Sequence, residues 1–289
     1  MSMMVKKYVL YGKVVTIILC IGLFFATLLR LLYPLYSKKH YYPKDSFRFP
    51  KDIIRPTPTD APIHIPILMY HYVEYVKDKG DRIRIGLNIP RNIFEEQIKT
   101  LVEASYSAIF MNDVADALDG KVTLPQKPVV LTFDDGYGDF YTDVFPILKK
   151  YNIKAVNYVI SEVLGKKNYM TREQVQEIDK SGLVEVASHT TSHVNLKLVP
   201  LSVARKEIFQ SKIDLEELVG HTVFNFAYPY GAFTASVAGY VKEAQYRTAV
   251  TVLPGTWHHE QDRYYLERIR PGYNTGNTLL KLLEKEDKK

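Results

Sequence analysis

The chain has 289 residues, 38 Lys/Arg against 32 Asp/Glu, and a formal charge of +6. That excess is local: residues 1–62 hold ten basic and three acidic groups, so residues 63–289 carry 28 against 29, and no basic face for nucleic acid is expected there. The lone cysteine, Cys20, excludes a disulfide, a thiol nucleophile and a thiolate metal site from the body of the chain.

In chain order, residues 1–13 form a short tail with Lys6, Lys7 and Lys13. Residues 14–29 are sixteen without a charge, and past Arg30, which can snorkel, the apolar stretch runs to Tyr36. A helix needs about 20 residues to cross a bilayer, so residues 14–36 are expected to be a single-pass membrane anchor. No small-x-small cleavage site follows, which argues against a removed signal peptide. Charge does not orient this span, because Arg30, Lys38 and Lys39 flank its far end. Residues 37–62, with Pro43, Pro50, Pro56, Pro58 and Pro62, read as an extended proline-rich linker.

The body, residues 63–289, alternates strand-like and helix-like runs. Ile65–Tyr70 reads as a strand, and Pro90 to Ala104 as a helix whose Ile93, Phe94, Ile98, Leu101 and Val102 share one face. A short strand Ala108–Phe110, a short helix Val114–Leu118 and the strand Pro128–Leu131 follow. Tyr141–Tyr151 looks helical despite Pro146, Ala155–Ile160 is a strand, and Thr171–Ser181 is a helix with a Thr171/Gln174 capping box. After the strand Val184–Ser188 comes the longest helix, Ser202–Val219, stopped by Gly220. Val223–Ala227, Thr248–Leu253 and Tyr265–Ile269 are strands, with helices at Thr234–Ala244 and Leu279–Leu283. Such alternation predicts an α/β fold with a parallel sheet inside and helices outside.

Three polar segments leave strand ends. Asp134-Asp135-Gly136 follows one apolar run, His189-Thr190-Thr191-Ser192-His193 another, and Tyr228-Pro229-Tyr230-Gly231 a third. Strand ends of this kind meet at the mouth of a barrel. Neighbouring strand residues face opposite ways, so both carboxylates serve one site only if the strand ends between them. Histidines at i and i+4 can reach one ion, and two imidazoles with one carboxylate make an open zinc-type site. A glycosidase would instead need two carboxyls about 5–10 Å apart across a sugar, and the histidine pair would then have no role.

Thr132–Gly136, Ser188–His193 and Ala227–Gly231 resemble the first three motifs of the polysaccharide deacetylases, the carbohydrate esterase family 4 or NodB-homology enzymes. The likeness covers roughly residues 63–275. It implies a distorted (β/α) barrel of about seven strands and metal-dependent removal of N-acetyl groups from a polysaccharide. It further implies Asp135, His189 and His193 as ligands of one divalent ion, zinc first, with cobalt or nickel as alternatives. Asp134 would be the catalytic base. The Tyr230 backbone N–H would be the oxyanion donor, and Pro229 would shape its loop. The family also favours a catalytic domain outside the cytoplasm, here on a membrane anchor.

The sequence departs from the family pattern twice. Many members carry an arginine where Ala227 stands, and Arg268 or Arg270 on a late strand could supply that guanidinium. Members usually have a late Leu-His motif with the general acid, and no histidine follows His259. Tyr70-His71-Tyr72-Val73 resembles the Tyr-His-x-Val element of the poly-N-acetylglucosamine deacetylase branch, whose motif order is permuted, so His71 is expected to be the acid. His258 and His259 are weaker candidates, and Trp257 either stacks on a sugar or packs. The expected activity is hydrolysis of N-acetylglucosamine amides to amines and acetate in an extracellular or cell-wall glycan. The alternative is an inactive glycan-binding module of the same fold.

Overall fold

The computed structural model describes residues 61–76 and 78–284. The expected tail and anchor, and all but the last two residues of the expected linker, lie outside the described residues. Among those described, no helix is long and apolar enough to cross a membrane.

The strands are β1 (Ile63–His64), β2 (Ile67–Tyr70), β3 (Ser107–Ala108), β4 (Pro128–Asp135), β5 (Ala155–Val159), β6 (Val184–Ser188), β7 (Asn225–Ala227), β8 (Thr248–Val250) and β9 (Trp257–His258). Six of them pair in the order β2-β4-β5-β6-β7-β8, all parallel, with β3 beside the start of β4. The sheet curls, consistent with a distorted barrel. The expected last strand, Tyr265–Ile269, is not a strand. Leu266 bonds to β8 (Leu266 N–H to Ala249 O, 2.8 Å) and Ile269 to β2 (Ile269 N–H to Ile67 O, 2.9 Å). One bridge on each side is too little for a ladder, but it links the two edges of the sheet.

Two apolar clusters mark the two faces of this sheet. Ile67, Val130, Val156, Tyr158, Ala187, Ala227, Val250 and Leu266 fill the inside, and Ile109, Met111, Val114 and Leu118 plug its N-terminal end. The alternate residues Leu68, Tyr70, Val129, Leu131 and Phe133 pack outward against helices. This is the period-two alternation of strands buried on both faces.

The helices are α1 (Arg82–Leu87), α2 (Arg91–Glu103), α3 (Met111–Leu118), α4 (Phe145–Tyr151), α5 (Arg172–Lys180), α6 (Leu201–Val219), α7 (Ala235–Glu243) and α8 (Gly276–Leu283). The Thr171/Gln174 capping box forms at α5, and Gly220 ends α6 in the left-handed region. The run Tyr141–Tyr151 divides into a π-turn, Phe140–Val144, and α4. Pro146 falls in the first turn of α4, where its missing N–H has no helical partner to lose. Helix α1 buries none of its residues, so no apolar stripe marks it in the sequence.

A half-buried acid lies at the N-terminal end of the sheet. Glu185 accepts from the Asn112 backbone N–H (3.1 Å) and from the Asn225 side-chain amide, whose oxygen accepts from Thr248 Oγ1 (2.6 Å). Burial pushes the Glu185 pKa up to about 7 from 4.5. A raised carboxyl pKa gives stability that is full below pH 4.5 and is lost as pH rises through 7. Relative to Glu185→Gln, the wild type should therefore lose up to about 3 kcal/mol between pH 4.5 and 8. Urea unfolding at both pH values measures this, and a wild-type-to-variant gap that does not change with pH would refute it.

Candidate active site

The C-terminal ends of the strands carry the polar motifs. Along β4 the inward positions are Val130, Thr132 and Asp134, so Asp135 would point outward if the strand continued. Instead Asp135 takes φ 79° and Gly136 φ 76°, which turns the second carboxylate over the rim. A Cβ on Gly136 would come within 3.3 Å of the Val159 side chain. Thr190 (φ 68°), His193 (φ 59°) and Tyr230 (φ 62°) are also left-handed. Non-glycine residues in that region are uncommon and cost about 1–3 kcal/mol each. Four such residues in three loops at one mouth show strain gathered at the site.

Asp135 Oδ1 lies 3.3 Å from His189 Nε2 and 3.2 Å from His193 Nε2. His189 Nδ1 is 2.8 Å from the Ala227 carbonyl oxygen. A carbonyl only accepts, so Nδ1 carries the proton and Nε2 of the neutral ring presents its lone pair toward Asp135. His193 Nδ1 bonds the Tyr230 hydroxyl at 3.1 Å, and the two rings meet edge to face at 4.5 Å. Asp135 Oδ1 is buried and has no hydrogen-bond donor. A carboxylate oxygen facing two imidazole nitrogens could hold a cation among them, and the three ligating atoms lie within 4.8 Å of one another. The donor set, two nitrogens and one oxygen, fits a zinc-class divalent ion.

The electrostatics follow from burial and these contacts. Burial alone would raise the Asp135 pKa, but the histidines outweigh it and hold the carboxyl low. Burial takes His193 down to about 4. For His189 burial also acts downward, but Asp135 and Asp134 tip the balance upward.

Asp134 meets Arg268 through two hydrogen bonds, Nη1 to Oδ1 at 2.8 Å and Nη2 to Oδ2 at 2.7 Å. Arg268 is 1% exposed. Its Nε donates to Thr251 O (2.7 Å) and its Nη1 also to Thr132 Oγ1 (2.9 Å), while the Thr132 hydroxyl donates to Leu68 O (2.7 Å). Burial would raise the Asp134 pKa, but the guanidinium overrides it and the carboxyl stays ionised. His71 Nε2 stands 3.9 Å from Asp134 Oδ2. Burial lowers the His71 pKa, against the pull of Asp134 and Asp135.

The structure thus brings His71, Asp134, Asp135, His189, His193, Pro229, Tyr230 and Arg268 to one mouth. Arg270 is exposed at the rim and acts on His71 and Asp134 only through space. His258 is not at the mouth: β9 pairs with β1, and His258 Nε2 bonds Ile65 O at 3.0 Å. Trp257 packs on His64, ring centroids 4.7 Å apart, so it is no sugar platform at this site. Three residues outside the sequence expectations complete the frame: Thr132 and Thr251 orient Arg268, and Asp139 Oδ2 accepts from the Val73 N–H (2.5 Å), tying down the His71 loop. Thr132 stands at the head of the Thr132–Gly136 motif without an expected role, and Thr251 and Asp139 leave no signal in the sequence.

The family described as polysaccharide deacetylase matches residues 121–249. YxkH of Bacillus subtilis (strain 168), named as a polysaccharide deacetylase, is 30% identical over 212 residues, 73% of each chain. The poly-β-1,6-N-acetyl-D-glucosamine N-deacetylase of Staphylococcus aureus (strain MRSA252) is 28% identical over 197 residues, 63% of this chain and 67% of that one. The Streptococcus pyogenes deacetylase PplD, solved in complex with acetate, superposes with a TM-score of 0.72 at 29% identity, over 78% of this chain and all of that one. With the site geometry, these likenesses establish that the chain belongs to the polysaccharide deacetylase family, as a polysaccharide N-deacetylase related to the poly-N-acetylglucosamine enzymes.

Proposed function

We propose that this chain is a metal-dependent hydrolase that removes acetyl groups from an N-acetylglucosamine polysaccharide. The observation that carries the reading is the Asp135–His189–His193 set beside an ionised Asp134 that lies between Arg268 and His71. A zinc-class ion on that set would polarise the acetamide carbonyl and make water acidic enough to lose a proton near neutral pH.

Asp134 accepts that proton as water oxygen bonds to the acetyl carbon. The two bonds from Arg268 fix the carboxylate plane and keep it charged. The Tyr230 backbone N–H, turned by its left-handed φ, donates to the developing oxyanion. The proton that Asp134 takes from water passes through His71, 3.9 Å away, to the amine as the C–N bond breaks, so that acetate and a free amino sugar leave and both side chains return to their starting states. Poly-N-acetylglucosamine is the proposed polymer, supported by the Tyr70–Val73 element and by the relative with that printed activity. We place the enzyme on a membrane anchor at residues 14–36, a reading that rests on their apolar sequence, and outside the cytoplasm, a reading that rests on the family resemblance.

Purified full-length protein should hold about one divalent ion per chain by elemental analysis and release acetate from N-acetylated glucosamine oligomers. Asp135→Ala should lose the ion and retain less than about 1% of the rate; undiminished acetate release would end the metal reading. Arg268→Lys keeps a buried cation but not the two-pronged geometry. It should lower kcat about 10- to 100-fold with metal content unchanged, and wild-type kcat in that variant would show that Asp134 needs no such clamp.

A further inference from the structure

We infer that Glu207, on α6 and outside every motif, is the positioning residue that holds the two metal-binding histidines at their working separation. The inference rests on the metal reading above. Glu207 Oε2 accepts from the Thr191 N–H (3.0 Å) and the Ser192 N–H (2.8 Å), and Oε1 accepts from Ser192 Oγ (2.6 Å). Thr191 Oγ1 also donates to the Glu207 backbone carbonyl (3.2 Å). Thr191 and Ser192 lie within the segment between His189 and His193, so one side chain grips the link that sets the distance between the imidazoles.

This loop needs an outside anchor. Thr190 and His193 are left-handed, so the segment is not a regular helical turn. Its carbonyl side is held by the loop after β5, where the Ser161 N–H donates to Thr190 O (3.2 Å) and the Glu162 N–H to Thr191 O (3.0 Å). Thr190 Oγ1 accepts from the His193 N–H (3.0 Å). The donor side at Thr191 and Ser192 is held by Glu207. The anchor itself is rigid, because α6 buries Ala204, Ile208, Ser211, Leu215 and Leu218 against the body. Ligands held in place before the ion arrives lose less freedom on binding, and removing a group that orients a metal ligand typically weakens metal affinity about 10- to 100-fold.

Cobalt(II) titration of the full chain, followed by visible absorption, tests this without any substrate. Glu207→Ala should bind cobalt about 10- to 100-fold more weakly than wild type. Glu207→Gln should stay within about threefold, because its amide oxygen can take both N–H groups while its NH2 donates to Ser192 Oγ. Glu216→Ala is the control: Glu216 lies on the same helix but accepts from the Val223 N–H (3.0 Å), and this variant should bind as wild type. Wild-type affinity in Glu207→Ala, or equal losses in Glu207→Ala and Glu216→Ala, would overturn the positioning role alone. A wild type that takes up no cobalt would overturn the metal reading and this inference with it.

Discussion

A buried ion pair, Arg268 with Asp134, joins the segment that links the edges of the sheet to the strand that carries the chemistry. Such a pair is weak evidence for stability, since each ion sacrifices several kcal/mol of hydration on burial. Here the loss is limited because further polar groups surround the guanidinium: Nε meets the Thr251 carbonyl and Nη1 meets the Thr132 hydroxyl as well as Asp134. The arrangement makes sense as a device for keeping one carboxylate charged and oriented in a dry interior. It also ties down residues 266–269, which have only one backbone bridge on each side.

Around this fixed pair the loops are strained, and each strained residue has a visible restraint. Asp135 turns out of β4 next to Gly136, where the backbone runs close to Val159. Tyr230 is left-handed beside Gly231, where an added Cβ would come within 2.8 Å of the Val252 backbone nitrogen. Its hydroxyl and ring both rest on His193. A loop residue whose backbone is held in a costly region by its neighbours has little freedom to relax. The mouth is therefore preorganised, which suits a site whose work is to stabilise developing charge.

Much of this was legible from residue order because three short motifs each sit at a strand end, and β-α alternation brings such ends to one side. The helices with caps and stops, such as Thr171 with Gln174 and Gly220, were legible for local reasons. What was not legible depends on long-range partners. Tyr265–Ile269 has the composition of a strand, but it makes one isolated bridge to β8 and one to β2 rather than a ladder with either. Trp257 and His258 sit in a polar stretch that looks like part of a glycan site, yet β9 pairs with β1 and carries them to the other end of the sheet. Thr132 is an ordinary strand residue until a guanidinium 136 positions away finds its hydroxyl.

The two departures from the family pattern, Ala227 and the missing late histidine, are explained by parity around the curled sheet. The β2–β4 register pairs Ile67 with Val130 inside, Leu68 with Leu131 outside, Met69 with Thr132 inside and Tyr70 with Phe133 outside. One step further, His71 and Asp134 fall on the same inward side, the two side chains found 3.9 Å apart. The Leu68–Ile269 bridge sets the other neighbour: Ile269 faces out and Leu266 in, so Arg268 faces in, and its long side chain reaches along the inside of the sheet to Thr132 and Asp134. Arg270 has the same parity, but it is exposed. A slip of β2 by one residue against β4 would turn His71 outward, away from Asp134. His71 and Arg268 therefore reach Asp134 from a first strand and from a linking segment by having the right parity, as a side chain on Ala227's own strand would.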